Sequence, residues 1–227
     1  NSLWSGSYVI VGIFYETLVS KFIWQLFDHI SIGLARFADI FFIFIFKFSL
    51  IFLSFLLTKF LYLDKFYKKV FFLFNSFIFL SLVDYNYVDG ITTFRDLPVI
   101  ILFILFICLF LKKNQTLVLF LISLLSILSM LWGIDRGLIC NLLIIVIFLH
   151  LFLIGDHKKI LTLLFFTSFF WIVFYFIIGN EFYYFIDNTV SIYKEMSYVN
   201  GLIHPTPFSD EPNAARATKT MISIILC

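Results

Sequence analysis

Charge is scarce in this chain. Asp, Glu, Lys and Arg make up 13% of its 227 residues, where a soluble domain carries about 25%. Hydrophobic residues reach 62%, aromatics 22%, and mean hydropathy is +1.05. A soluble core of this size has no room for that much Phe, Ile and Leu, so a water-soluble globular domain is excluded. Cysteine is equally sparse: Cys108, Cys140 and Cys227 have no CxxC spacing among them, which predicts neither a disulfide framework nor a zinc site. There is no Walker loop, GxGxxG, HExxH or GxSxG, which argues against a nucleotide-driven pump on this segment. The formal net charge of +2 leaves no footprint for nucleic acid. The chain opens on Asn1 and stops at Cys227 inside a short apolar run, so it reads as one transmembrane domain, 1–227, truncated at both ends.

What is abundant is apolar sequence in lengths near the ~20 residues that a bilayer requires. Spans are expected at 38–60, 69–84, 97–112, 115–133, 137–154 and 159–179, with another starting near 217. The expected fold is therefore all-α: a polytopic transmembrane helix bundle with amphipathic helices on its outer face. Residues 1–27 are apolar but interrupted by Glu16 and Lys21, and Trp4, Tyr8, Tyr15 and Trp24 suit a membrane interface. They predict helices lying at the surface.

The connections alternate in character. One set carries Lys59, Lys65, Lys68, Lys69, Lys112, Lys113, Lys158 and Lys159 against only Asp64 and Asp156. Positive charge marks the cytoplasmic side. The segments 21–38, 84–96, 133–137 and 180–217 then face outward, and the alternation closes without skipping a span. All four arginines, Arg36, Arg95, Arg136 and Arg216, fall on that outer side with most of the acids. Lysines inside set orientation. Arginines outside do not, and a planar guanidinium fork suits carboxylate or phosphate.

Four groups of residues stand out. Asp135-Arg136 sits in the turn between two apolar runs. It is either a site in which Arg136 binds an anion and Asp135 orients it or takes a proton, or a helix cap whose charges reach water. Arg95-Asp96-Leu97-Pro98 opens another span; Asp96 is a plausible cap and Pro98 a normal helix start, but Arg95 is left unexplained. In the same loop Asp84 and Asp89, with Asp96, offer carboxylates to a divalent cation, although their spacing matches no metal loop. The third group is Asp28-His29 with Arg36, Asp39 and Lys47. Positions 36 and 47 share nearly one helical angle, so a continuous helix would carry a polar stripe into the membrane, ending at the deep charge of Lys47 as a functional group or a structural ion pair. The fourth is the 180–217 segment. Ile186, Val190, Tyr193 and Met196 recur at helical spacing, which predicts an amphipathic helix at 186–199. His204-Pro205-Thr206-Pro207 follows as a stiff piece, its His204 a candidate general base or a surface histidine packed on proline. By contrast Ser123, Ser126 and Ser129, spaced three apart, predict a helix-packing face. His150 and His157, beside the Lys158-Lys159 turn, suggest orientation only.

Asp28 to Asp39, Trp132-Gly133-Ile134-Asp135-Arg136-Gly137 and Tyr198-Val199-Asn200-Gly201-Leu202-Ile203-His204-Pro205, set among these spans, resemble membrane glycosyltransferases of the GT-C type. The resemblance is one of pattern. It implies transfer of a sugar from a polyprenyl-phosphate carrier on the outer face of a bacterial plasma membrane. The span, Arg-Gly, span, lysine-turn, span order at 115–179 is also similar to O-antigen ligases and polymerases, which join lipid-linked glycans with an outer-loop Arg and His. On either likeness the expected partners are membrane lipid and a lipid-linked sugar donor, with no protein-bound cofactor. Asp135, His204 and Asp28 become candidates for catalysis, and Arg136, Arg36, Arg95, Arg216 and Lys47 for substrate binding. A secondary transporter or flippase of a lipid-linked or anionic substrate is the rival, and would want spans broken by Gly or Pro near the midplane. A structural subunit of a larger membrane complex is the third reading.

Overall fold

A backbone in lipid must satisfy its own polar groups, and the helix is the way a single segment does so. The computed structural model describes residues 19–61, 64–81, 95–111 and 115–199, and every regular element among them is a helix. Four are long and apolar enough to cross a membrane, as expected for an integral membrane protein. Helices α1 (Val19–Leu26) to α7 (His157–Ile178) belong to one unit, and α8 (Glu181–Val199) to a second.

Helix α2 (Ile32–Phe60) has 29 residues, about 43 Å at 1.5 Å per residue. That exceeds a ~30 Å hydrocarbon layer, and the stretch long and apolar enough to cross is Ile40–Lys59, with Lys47 inside it. The helix starts earlier than the 38 expected because Ser31 caps it, its hydroxyl accepting from the Gly33 N–H at 3.1 Å. Arg36, Asp39 and Lys47 therefore do share one continuous helix. The Trp24 indole donates to the Ser31 carbonyl at 2.9 Å and pins α1 to this start. Between them Asp28 takes φ 47, a left-handed conformation that Asp tolerates better than most residues.

Helix α3 (Lys65–Ser81) begins four residues before the expected span and includes Lys65, Lys68 and Lys69. It returns along α2. The Ser54 hydroxyl donates to the Phe72 carbonyl, and Ser76 donates to Ser54, both at 3.2 Å. Helix α4 (Leu97–Phe110) has 14 residues, about 21 Å, which is short for a full crossing. Phe46 and Leu50 of α2 bury against Leu97 of α4, with Phe42 edge-on to Trp132 at 5.1 Å.

The centre of this unit is α5 (Gln115–Trp132), with α6 (Ile134–Ile154) and α7 beside it. A single residue, Gly133, separates α5 from α6. Met130 faces Gly137 and Ser126 faces Asn141, so the two helices run antiparallel from that point. A Cβ on Gly137 would lie 2.5 Å from the Met130 Cα, so only glycine allows this approach. Ser123, Ser126 and Ser129 are fully buried, and they form the close-packing face expected of small residues in membrane helices. Contacts of α5 with α7 advance together along both chains, from Ser123 with Leu163 and Thr167 to Ser126 with Trp171, so these helices are parallel. At the far end of α6, Gly155 closes the helix at φ +77. Phe165, Phe169 and Phe176 of α7 and Leu153 of α6 point outward, an arrangement suited to lipid.

The helix expected at 186–199 begins five residues earlier, at Glu181.

Candidate functional site

Arg95, Asp96, Asp135 and Arg136 fall where α4 and α6 begin. For Asp96 a cap was the plausible reading, and for Asp135 it was the alternative to a site. Asp96 does occupy the position before α4, yet its side chain makes no capping hydrogen bond. Before α6 the cap position belongs to Gly133, and Asp135 lies inside the first turn. Neither carboxylate makes a capping hydrogen bond, although Asp135 stands in the first turn of α6, where the helix dipole favours an acid. They are used on arginine instead.

Four side chains form one cluster. Arg95 Nη2 meets Asp135 Oδ2 at 2.9 Å, and Arg136 Nη1 meets the same oxygen at 3.1 Å. Arg136 Nε donates to Asp96 Oδ1. The segment before α4 and the first turn of α6, forty residues apart, are thereby tied at one end of the bundle. The cluster is graded in exposure: the Asp135 side chain is 16% exposed, Arg95 27%, Arg136 29% and Asp96 49%. Two polar atoms within it, Asp135 Oδ1 and Arg95 Nε, are buried with no hydrogen-bond partner among the described residues. Such atoms cost free energy until something binds them.

The other candidates divide into three. Arg36 lies in the second turn of α2, and Phe42 of that helix packs on Trp132 next to the cluster, so its backbone is at the same end of the unit; its side chain is outside the described set, as is that of Asp39. Lys47 lies five residues beyond Phe42 along α2, about 7.5 Å, and is half-buried. Asp28, exposed at the α1–α2 corner, makes no ion pair among the described residues. His204, Arg216, Asp84 and Asp89 lie outside the described residues. Of the carboxylates considered for a cation, Asp96 is engaged by Arg136, and no group of three metal-ligating side chains occurs among the described residues.

A second polar feature went unread in the sequence. Asn141, in the apolar run of α6, donates through Nδ2 to the Ser126 carbonyl at 3.0 Å and the Gly137 carbonyl at 2.8 Å. Its Oδ1 accepts from the Ser126 hydroxyl, and the Trp171 indole donates to that hydroxyl at 3.0 Å. This seam joins α5, α6 and α7 through side chains whose polar atoms pair with one another, as lipid demands. The signal was present: an amide inside an apolar helix marks a partner on a neighbouring helix.

At the lysine end the pattern is local. Asp156 accepts from the Lys159 N–H, which caps α7, and pairs with the Lys159 ammonium one turn ahead. The hydrogen bond from Lys159 holds the Asp156 carboxyl below its ordinary value. No protein-family model, curated protein or solved structure matches the chain, so the reading of function rests on this geometry.

Proposed function

We propose that the chain is a membrane glycosyltransferase that moves a sugar or glycan from a polyprenyl-phosphate-linked donor at the extracytoplasmic face of a bacterial plasma membrane. The observation that supports it is the convergence of Arg95, just before α4, and Arg136, in the first turn of α6, on a single carboxylate oxygen at one end of the bundle. Two guanidinium forks set around one oxyanion are what a leaving phosphate needs. In the reaction, the acceptor hydroxyl oxygen bonds to the anomeric carbon of the donor sugar. The bond from that carbon to the phosphate oxygen breaks, and its electron pair leaves on the polyprenyl phosphate. Arg95 and Arg136 stabilise that developing charge. The acceptor proton passes to a carboxylate or imidazole: Asp135 Oδ1, which lacks a partner among the described residues, or His204.

The end of the bundle suits a donor with a greasy tail and a polar head, since apolar helix faces begin directly beyond the charges. Helices α5, α6 and α7 each run unbroken, which is not the interrupted-helix pattern of a carrier. A transfer assay with a labelled polyprenyl-linked sugar, on full-length protein bearing Arg136→Ala or His204→Ala, tests the reading. Loss of transfer by at least about tenfold in Arg136→Ala is expected. Undiminished transfer in both variants overturns the assignment, and substrate flux without transfer replaces it with a transporter.

A further inference from the structure

The charge cluster is neutral by formal count, with two arginines and two aspartates. Its surroundings are not. Helices α4 and α6 both start there, and neither start is capped by a side chain. Each N-terminus acts as roughly half a positive charge, so among the described residues the charges at this end sum to a positive site.

The two acids hold unequal places. Asp135 is the less exposed and bridges both arginines through Oδ2. Asp96 is half in solvent and, among the described residues, pairs only with Arg136. Asp96 also has somewhere else to go. It stands at the cap position of α4, where an aspartate normally accepts from the backbone of the second or third helical residue. Pro98, the second, has no N–H, which leaves the amide of Val99. The Asp96 carboxylate thus has two berths, and in this structure it occupies the one on Arg136 rather than its own helix.

We propose that Asp96 is a displaceable counter-ion for the site. While the site is empty its carboxylate closes Arg136. When a lipid phosphate settles on Arg95 and Arg136, Asp96 swings to the Val99 amide and caps α4, while Asp135 stays as the fixed bridge. Occupancy then exchanges one anion for another on Arg136 and fills a vacant cap, so binding does not leave a stranded carboxylate. This rests on the reading of the two arginines as phosphate holders given above.

The test is equilibrium binding of farnesyl phosphate to the detergent-solubilised full chain, with farnesol as the uncharged control. Asp96→Asn removes the competing charge and keeps an oxygen able to cap. It is expected to bind farnesyl phosphate about two- to fivefold more tightly than wild type, the scale of an exposed ion pair, while Arg136→Ala binds more weakly. Asp96→Ser, also uncharged and able to cap, serves if the Asn variant does not fold. Hydrogen exchange at the Val99 amide reads the swing directly: farnesyl phosphate should slow it in wild type. Unchanged or weaker binding by both Asp96 variants, or no added protection at Val99, overturns the displacement while leaving the phosphate site standing if Arg136→Ala still loses affinity. Wild-type affinity in Arg136→Ala removes the phosphate reading itself. Inorganic phosphate that competes as well as the lipid overturns the assignment to a lipid headgroup.

Discussion

The two ends of the α4–α7 bundle handle charge in opposite ways. At one end Arg95 pairs with Asp135 and Arg136 with Asp96, each across forty residues, and both arginines share the Asp135 carboxylate. At the other, Lys159 pairs with Asp156 a single turn away. The lysine end is what orientation in a membrane requires: cations near water, paired locally. The arginine end is a built structure, with long-range partners, partial burial and polar atoms left unsatisfied. Charge alone does not separate the ends, because both carry cations and acids. The range over which the charges pair does.

Substitutions at matched positions can sharpen or break this contrast. The largest effect is expected from Asp135→Asn, which leaves two guanidinium groups facing each other. It should lower stability by ~3 kcal/mol and abolish transfer, read as a drop in the unfolding midpoint in detergent and in the labelled-sugar assay. A loss no greater than that of Asp156→Asn would erase the distinction between the ends. Gly137→Ala comes next. Its Cβ would strike the Met130 backbone, and the α5–α6 hairpin should lose ~2 kcal/mol. Gly155→Ala, at the lysine end, meets nothing within 4 Å and pays only for its left-handed backbone, ~1 kcal/mol. Equal midpoints for the two alanine variants would show that the close approach at Gly137 relaxes freely. The smallest effect concerns acid. Asp156 has its folded pKa lowered by Lys159, so its contribution is present above the ordinary value of 3.8 and fades as pH falls through the lowered folded value. The difference in midpoint between wild type and Asp156→Asn should shrink over that window and be flat above it.

Much of the helical layout was legible because apolar runs bounded by charge have few other ways to fold. The expected spans at 97–112 and 115–133 match Leu97–Phe110 and Gln115–Trp132 within two residues at each end. The run expected from 137 begins at Ile134 instead. Asp135 and Arg136 looked like a loop, but charged residues are compatible with a first helical turn, where Asp favours the helix dipole, and Gly133 suffices to reverse the chain. Arg95 and Arg136 were singled out on composition; that they meet depends on how α4 docks beside α6, and local pattern carries no such information. Ser126 was noticed through its spacing, whereas Asn141 and Trp171, which complete its hydrogen bonds, were passed over because single polar groups in apolar helices have no period. His204 and Arg216 lie outside the described residues.

The single-residue junction at Gly133 also bears on how the protein is made. With no slack between them, α5 and α6 form a tight hairpin suited to entering a bilayer as a pair. Its tip carries Asp135 beside Arg136, already bonded to each other at 3.1 Å. Half of the charge cluster thus sits at the hairpin tip as a neutral pair, which costs far less in hydrocarbon than two separate ions.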